Sequence, residues 1–149
     1  MIKQRLQDDV KTAMLAGDTM RLECLRGLKS TILYAEVAAG KRDEGLSDAE
    51  IESLLEKEAK KRQESADLYA KGGAADKADK ELSEKAIIEE YLPPQLSEAE
   101  VAAVVDEVIA QVKPEGIGQM GQVIGQVKSR LGTAADGSIV ARLVKEKLQ

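Results

Sequence analysis

Histidine, phenylalanine and tryptophan are all absent from the 149-residue sequence. Without histidine the chain lacks the commonest general base near neutral pH and the commonest metal ligand, so most hydrolase and metalloenzyme sites are excluded. Three tyrosines are the only aromatic residues, so a hydrophobic core has to be built from Leu, Ile, Val, Ala and Met. We therefore predict no catalytic residues, no cofactor and no bound metal.

The sequence also has a single cysteine and no long apolar run. Cys24 cannot form a disulfide within the chain, which agrees with a reducing compartment. It lies among leucines in RLECLRGLKS with no base beside it, so we interpret it as a packed thiol. No stretch is long and apolar enough to span a membrane, and residues 1–17 lack a signal-peptide core. These features predict a cytoplasmic protein without a membrane partner.

Alanine, leucine, glutamate and lysine are abundant and runs of β-branched residues are few, so we predict an all-α fold. SDAE at residues 47–50 and SEAE at residues 97–100 are capping boxes that mark helix starts. Leucine and isoleucine spacing predicts a buried stripe in the second helix, made of Leu22, Leu25, Leu28, Ile32 and Leu33.

The diproline in YLPPQL separates two helical regions. Pro93 and Pro94 lack amide donors and disfavour helical geometry in the residue before them, so the preceding helix has to end near Tyr91. We predict a helical N-terminal domain over residues 1–92, a linker at 93–95 and a small three-helix C-terminal domain over residues 96–149. Its last two helices are predicted over residues 119–131 and 138–148.

The two ends of the chain differ in charge. The whole chain has a net charge of −5, whereas residues 116–149 hold more bases than acids. The bases are Lys128, Arg130, Arg142, Lys145 and Lys147. The last third is therefore the part that would attract an anionic partner.

GIGQMG at residues 116–121 matches G-x-G-x-x-G, but we reject a dinucleotide site because no strand precedes it. On a helical wheel, one arc of about 100° is an ordinary core stripe: Met120, Val123, Ile124, Val127 and Leu131. A second arc, centred about 130° away, holds Gly118, Gly121, Gly125, Gly132 and Lys128.

A helix-interior glycine costs about 1 kcal/mol relative to alanine, so the presence of glycines in this second arc has to be explained. Bare backbone lets another surface come close, and that surface could be a nucleic-acid backbone, another helix of the chain or a partner protein. In the following turn, Asp136 or Ser138 can cap the last helix, and Gly137 can adopt a positive φ or expose amides. The turn is therefore either a plain cap or an anion site.

Four blocks in this order resemble the YqeY family. They are RLECLRGLKSTI at 21–32, KKRQES at 60–65, EEYLPPQLSEAEV at 89–101 and MGQVIGQVKSRL with ADG at 120–137. The family is similar in its C-terminal part to the tail domain of the B subunit of glutamine-dependent aspartyl/glutamyl-tRNA amidotransferase. That tail is understood to contact tRNA, and family members are often assigned carbon–nitrogen ligase activity.

The resemblance implies a non-catalytic accessory protein that binds tRNA or other structured RNA, and it favours a phosphodiester backbone as the partner of the glycine arc. The alternatives are an amidotransferase-like component, a carbon–nitrogen ligase with glutamine as amido donor, and a protein–protein adaptor. A protein partner could come from the aminoacyl-tRNA or amidotransferase machinery. The residues expected to bind RNA are Gly121, Gly125, Lys128, Arg130, Gly132, Asp136, Gly137, Arg142 and Lys145.

Two further observations qualify this interpretation. The family commonly has GRADGK at the last turn, where this chain has Ala134 and Ser138 in TAADGS, so two phosphate-neutralising charges are missing and RNA affinity should be lower. KKRQES is either a solvated helix face, with Glu58 pairing with Arg62, or a second basic surface that includes Arg21, Arg26 and Lys29.

Overall fold

The structure is a computed structural model that describes residues 1–149. It contains seven α-helices, two short 3-10 helices and no strand, which confirms the all-α prediction. The α-helices are α1 Ile2–Ala16, α2 Thr19–Ala38, α3 Asp48–Lys71, α4 Ala75–Glu89, α5 Glu98–Val112, α6 Met120–Leu131 and α7 Gly137–Leu148. The chain divides into two compact units, Met1–Leu92 and Pro93–Gln149. None of the helices combines the length and apolar character that crossing a bilayer requires.

Local sequence signals begin and end several of these helices. Both capping boxes are formed: the Ser47 hydroxyl accepts a hydrogen bond from the Glu50 amide at 3.2 Å, and the Glu50 carboxylate accepts one from the Ser47 amide at 2.8 Å. Ser97 and Glu100 repeat this exchange with the same distances at the start of α5. Gly17 ends α1 in the left-handed conformation, with φ 69°, which glycine adopts without steric cost.

The N-terminal unit packs α1 to α4 around an aliphatic core. Its most buried large side chains are Leu6, Leu25, Ile32, Ile51, Leu55 and Ile88. The prediction that Leu33 is buried is wrong, because 47% of it is exposed. Leu33 lies at the edge of the α2 stripe, on the side that faces a groove between α1 and α2.

Cys24 is a half-buried thiol of this unit, packed against the core. Its sulfur lies 4.0 Å from the Glu84 carbonyl oxygen. Burial, with a further contribution from the Glu84 carboxylate, raises the pKa of Cys24 to about 11. The thiol therefore stays protonated near neutral pH.

KKRQES lies where α3 packs against α4. Arg62 reaches across to Glu81 and Glu84, each at 3.4 Å, and Gln63 accepts a hydrogen bond from Lys85 at 2.8 Å. The predicted pairing of Glu58 with Arg62 is wrong, because Glu58 pairs with Lys61 at 3.2 Å. This stretch therefore joins two helices, and Arg62 does not belong to a free basic surface.

EEYLPP has a structural role at the end of α4. Tyr91 is 4% exposed, its hydroxyl donates a hydrogen bond to the Asp9 carboxylate, and the Arg5 guanidinium lies 4.6 Å from the centre of its ring. Burial and that hydrogen bond raise the pKa of Tyr91. Next to it, Glu90 pairs with Arg21 at 2.6 Å, so the motif fixes the end of α4 to both α1 and α2.

The C-terminal unit packs α5, α6 and α7 around a valine-rich core. The fully buried members are Val101, Val105, Val108, Val123, Val127, Val140 and Val144. Residues just before α5 are tied to the turn after α6, because the Leu96 amide donates to the Ala134 carbonyl at 2.8 Å and the Gln95 side chain donates to the Thr133 carbonyl at 2.7 Å. Three short helices are therefore closed into one unit by its valine core and by this connection.

Candidate nucleic-acid interface

Gly121 and Gly125 lie on the solvent side of α6, Gly121 in its first turn and Gly125 in its second. Both are exposed, neither has a positive φ, and a Cβ on either would meet only open space. Neither backbone conformation nor packing therefore requires glycine at these two positions. We call the exposed surface around Gly121 and Gly125, together with Lys128, the glycine face.

Gly132 has a different explanation. It ends α6 with φ 55° and ψ −130°, a conformation that residues with a Cβ rarely adopt. Because the helix end itself requires glycine, Gly132 gives no information about a ligand. Gly118 is exposed in the 3-10 turn before α6, and a Cβ there would also point into open space.

Lys128 lies across the start of α7. A Cβ on Gly137 would be 3.3 Å from Lys128 Nζ and 3.4 Å from Lys128 Cε, so the lysine stem passes closely over Gly137. Gly137 is the first residue of α7 and its φ is not positive. The missing side chain at Gly137 therefore leaves room for the lysine stem and ammonium group over the start of α7.

Asp136 is the N-cap of α7. Its carboxylate accepts hydrogen bonds from the Ser138 amide at 2.7 Å and from the Ser138 hydroxyl at 2.6 Å. The predicted cap is thus formed, and it places a negative charge of the chain itself at the helix N-terminus.

Three of the five bases in the last third are paired with carboxylates. Arg130 contacts Glu107 at 3.3 Å and donates to the Gln111 side chain. The other paired bases are Arg142, with Glu98 and, at 3.3 Å, with Glu146, and Lys147, with Asp106 at 2.7 Å. Most of these carboxylates belong to α5, so the basic character of residues 116–149 is largely neutralised within the unit.

Lys128 and Lys145 are not among these three pairs with α5 and α7 carboxylates. Lys145 is exposed on α7 and lies two turns beyond Gly137, about 80° further around the helix. The structure thus places Gly121, Gly125 and Lys128 on the exposed side of α6 and brings Lys128 against Gly137. It places Arg130 on the α5 side of α6 and engages Arg142 with α5.

The family of the chain is decided by a model for Yqey-like proteins, which matches residues 3–148. The chain belongs to the Yqey-like protein family. The match covers nearly the whole chain and confirms the resemblance carried by the four sequence blocks.

Curated relatives of this Yqey-like chain fall under two names. It is 34% identical to altered inheritance of mitochondria protein 41, mitochondrial, of Lachancea thermotolerans, over 72% of this chain and 58% of that protein. The protein of the same name from Kluyveromyces lactis is 32% identical over 82% and 66%. A glutamyl-tRNA(Gln) amidotransferase subunit of Thermococcus gammatolerans is 34% identical over 55% of this chain and 15% of that protein. The chain thus spans less than two thirds of the length of each of these relatives.

These names contradict the predicted cytoplasmic location. Several relatives of the Yqey-like chain are called mitochondrial, so the inference from composition was wrong. It depended on a lone cysteine and on missing secretion and membrane signals, and neither feature distinguishes the cytoplasm from other compartments that keep thiols reduced.

Proposed function

We propose that this chain is a non-catalytic accessory protein that binds tRNA or other structured RNA through the glycine face of its C-terminal unit. The observation that carries the proposal is the open space over Gly121 and Gly125, where glycine has no conformational or packing role in the chain. Gly125, in the interior of α6, costs the helix about 1 kcal/mol relative to alanine, and Gly121, in its first turn, costs less. A ligand that contacts the bare backbone would explain why glycine is present at these positions despite this cost.

Lys128 supports a phosphate-bearing ligand. It is the basic member of the glycine face, and its side chain is exposed. A sugar-phosphate backbone needs donors and close access more than a shaped pocket. The relative named as a glutamyl-tRNA(Gln) amidotransferase subunit is consistent with a tRNA-linked role.

The test is filter binding of total tRNA to the full chain over a range of salt concentrations. We expect Lys128→Glu to weaken binding and to reduce the slope of log K against log salt by about one. Gly121→Leu should weaken binding without loss of helicity, because leucine blocks the approach and favours the helix. Equal tRNA retention by the wild type and both variants at about 50 mM salt, where phosphate contacts are strongest, would refute the proposal.

Matched controls keep charge and bulk separate from position. Lys57→Glu makes the same charge change at an exposed, unpaired lysine of α3, and it should leave tRNA binding unchanged. Ala103→Leu adds apolar bulk at an exposed position of α5, outside the glycine face. If either control weakens binding as much as its partner variant, the effect is not specific to the glycine face.

A protein–protein adaptor is the second candidate, favoured by the G-x-x-x-G spacing of Gly121 and Gly125. Small residues four positions apart let two helices pack closely. Co-purification before and after nuclease treatment separates the candidates: a partner that survives nuclease and is lost in Gly121→Leu favours the adaptor.

The amidotransferase-like alternative has its own assay. It requires glutamine- and ATP-dependent amide formation on mischarged tRNA by the purified chain. We expect no product, because the sequence offers neither a P-loop nor an evident glutaminase nucleophile beside a base. Amidated tRNA formed by the purified wild-type chain in the presence of glutamine and ATP would support the ligase alternative.

A further inference from the structure

An open groove of about 670 Å³ lies between α1 and α2 in the N-terminal unit. Lys3, Leu6 and Gln7 line it from α1, and its α2 side runs from Arg26 to Glu36. Ten residues of helix extend about 15 Å, or nearly three turns. The groove therefore has the length of a short helix lying alongside two others.

The floor of the groove is apolar. Leu6 and Ile32 are each 2% exposed and form its base, and Leu33 is 47% exposed on its wall. Val37, one turn further along α2, is 54% exposed. The exposed leucine and valine lie next to a buried aliphatic base. Covering them with another apolar surface would lower the free energy, because apolar area would be removed from water.

The free charges of the groove are positive. Four titratable groups line it: Lys3, Arg26, Lys29 and Glu36. Glu36 is already neutralised by Lys3, at 2.9 and 3.1 Å, and accepts a hydrogen bond from the Leu46 amide at 2.9 Å. Arg26 and Lys29 are exposed and have no carboxylate partner. In a chain of net charge −5, this groove favours a partner with acidic groups.

The walls of the groove restrict the form of that partner. Peptides that bind as an added strand need a sheet edge, and proline-rich peptides need an aromatic-lined groove. The N-terminal unit has no strand, and no aromatic side chain lines the groove. An RNA strand would also lack aromatic platforms for base stacking and would place phosphates over an apolar floor. Among the modes defined by the secondary structure of the peptide, a helix is the one that fits an apolar groove between two helices.

We propose that the groove binds an amphipathic helix of a partner protein, whose apolar stripe covers Leu33 and the groove floor and whose flanking acidic residues pair with Arg26 and Lys29. This site is separate from the glycine face. Its occupant is a protein segment, so it does not depend on RNA binding by the C-terminal unit.

The test uses a fluorescein-labelled peptide of about 18 residues, long enough to hold a helix, with leucines at i, i+3, i+4 and i+7 and glutamates on both flanks. A second peptide has lysine in place of every glutamate. Fluorescence anisotropy with the full chain should show saturable binding of the glutamate peptide and at least about tenfold weaker binding of the lysine peptide, since like charges across an interface are costly.

Variants locate the peptide. Leu33→Glu and the double variant Arg26→Glu/Lys29→Glu should each weaken binding of the glutamate peptide by about tenfold or more. Arg26→Gln/Lys29→Gln, which only neutralises the rim, should have an intermediate effect. Lys80→Glu, at an exposed unpaired lysine of α4, and Gly121→Leu on α6 should leave peptide binding unchanged. Circular dichroism checks that each variant is folded.

Three outcomes would overturn the inference. Equal peptide affinity in the wild type and the groove variants would place the peptide elsewhere. Equal affinity for the glutamate and lysine peptides would remove the charge argument. Loss of tRNA retention in Arg26→Gln/Lys29→Gln, with no saturable binding of the glutamate peptide to the wild type, would make these residues an RNA contact.

Discussion

Lys3 of α1 holds the carboxylate of Glu36 on α2, with Nζ 2.9 Å from Oε2 and only 3% of the Glu36 side chain exposed. The same oxygen accepts the Leu46 amide from the loop between α2 and α3. A Cβ on Gly45, whose φ is 78°, would come within 2.9 Å of it. One buried carboxylate therefore fixes α1, α2 and the connecting loop together.

Glu36→Ala should destabilise the N-terminal unit by about 1–3 kcal/mol, because the Leu46 amide loses its acceptor and the Lys3 ammonium loses its counter-ion. Urea denaturation followed by circular dichroism measures the change. Glu23→Ala, at an exposed glutamate of the same helix, is the control and should change stability little. An unchanged urea midpoint for Glu36→Ala would show that the carboxylate contributes nothing net.

The same pair predicts a specific pH dependence. The Lys3 hydrogen bond, helped by the Leu46 amide, lowers the pKa of Glu36 below its ordinary value of 4.5 despite its burial. A lowered folded-state pKa stabilises the protein above the unfolded-state pKa, and this contribution is lost as the pH falls through the folded-state value. The stability advantage of the wild type over Glu36→Gln should therefore be constant at neutral pH and shrink in acid.

Urea midpoints of the wild type and Glu36→Gln at several pH values between 7 and about 3 test this. The exposed carboxylates of Asp48 and Glu50, whose pKa values are also lowered by hydrogen bonds, are present in both proteins and cancel in the comparison. A wild-type advantage that grows on acidification would contradict the assignment.

Alanine substitutions distinguish the glycines of the C-terminal unit. Gly125→Ala should stabilise the chain by about 0.5–1 kcal/mol, because the position is helical and open, and Gly121→Ala should stabilise it by less, because Gly121 lies in the first turn of α6. Gly132→Ala should destabilise it by about 1 kcal/mol, because alanine is strained at a φ of 55°. Thermal or urea unfolding of the three variants gives the signs directly.

The signs also bear on function. A stabilising Gly121→Ala would show that folding does not require glycine at this position, which is a condition of the proposed RNA contact. Destabilisation by Gly121→Ala would instead indicate that bare backbone at this position is needed for packing.

Local features of this fold were predictable from the sequence and long-range contacts were not. The boxes at Ser47 and Ser97 involve residues three positions apart, and the α6 stripe around Val123 and Val127 follows from helical periodicity. Nothing near Glu36 in the sequence indicates burial, because its partners Lys3 and Leu46 meet it only after the helices pack. For the same reason, the count of bases in residues 116–149 overestimated the free positive charge of that segment: Arg130 is paired with Glu107, 23 positions away.

Cys24 should be unreactive in the folded protein. Burial, aided by the nearby Glu84 carboxylate, raises its pKa to about 11, so at pH 8 only about one thiol in a thousand is ionised. We expect a disulfide reagent such as dithionitrobenzoate to modify native protein far more slowly than protein unfolded in urea, where the thiol has its ordinary pKa and is fully accessible.

Two changes should reduce the difference in labelling rate between native and unfolded protein. One is a higher pH, closer to the raised pKa of the native thiol, and the other is Leu25→Ala, which loosens the core around Cys24. Equally fast labelling of native and unfolded protein at pH 8 would mean that Cys24 is open to solvent, and that the packing of α2 against α4 differs from the one described.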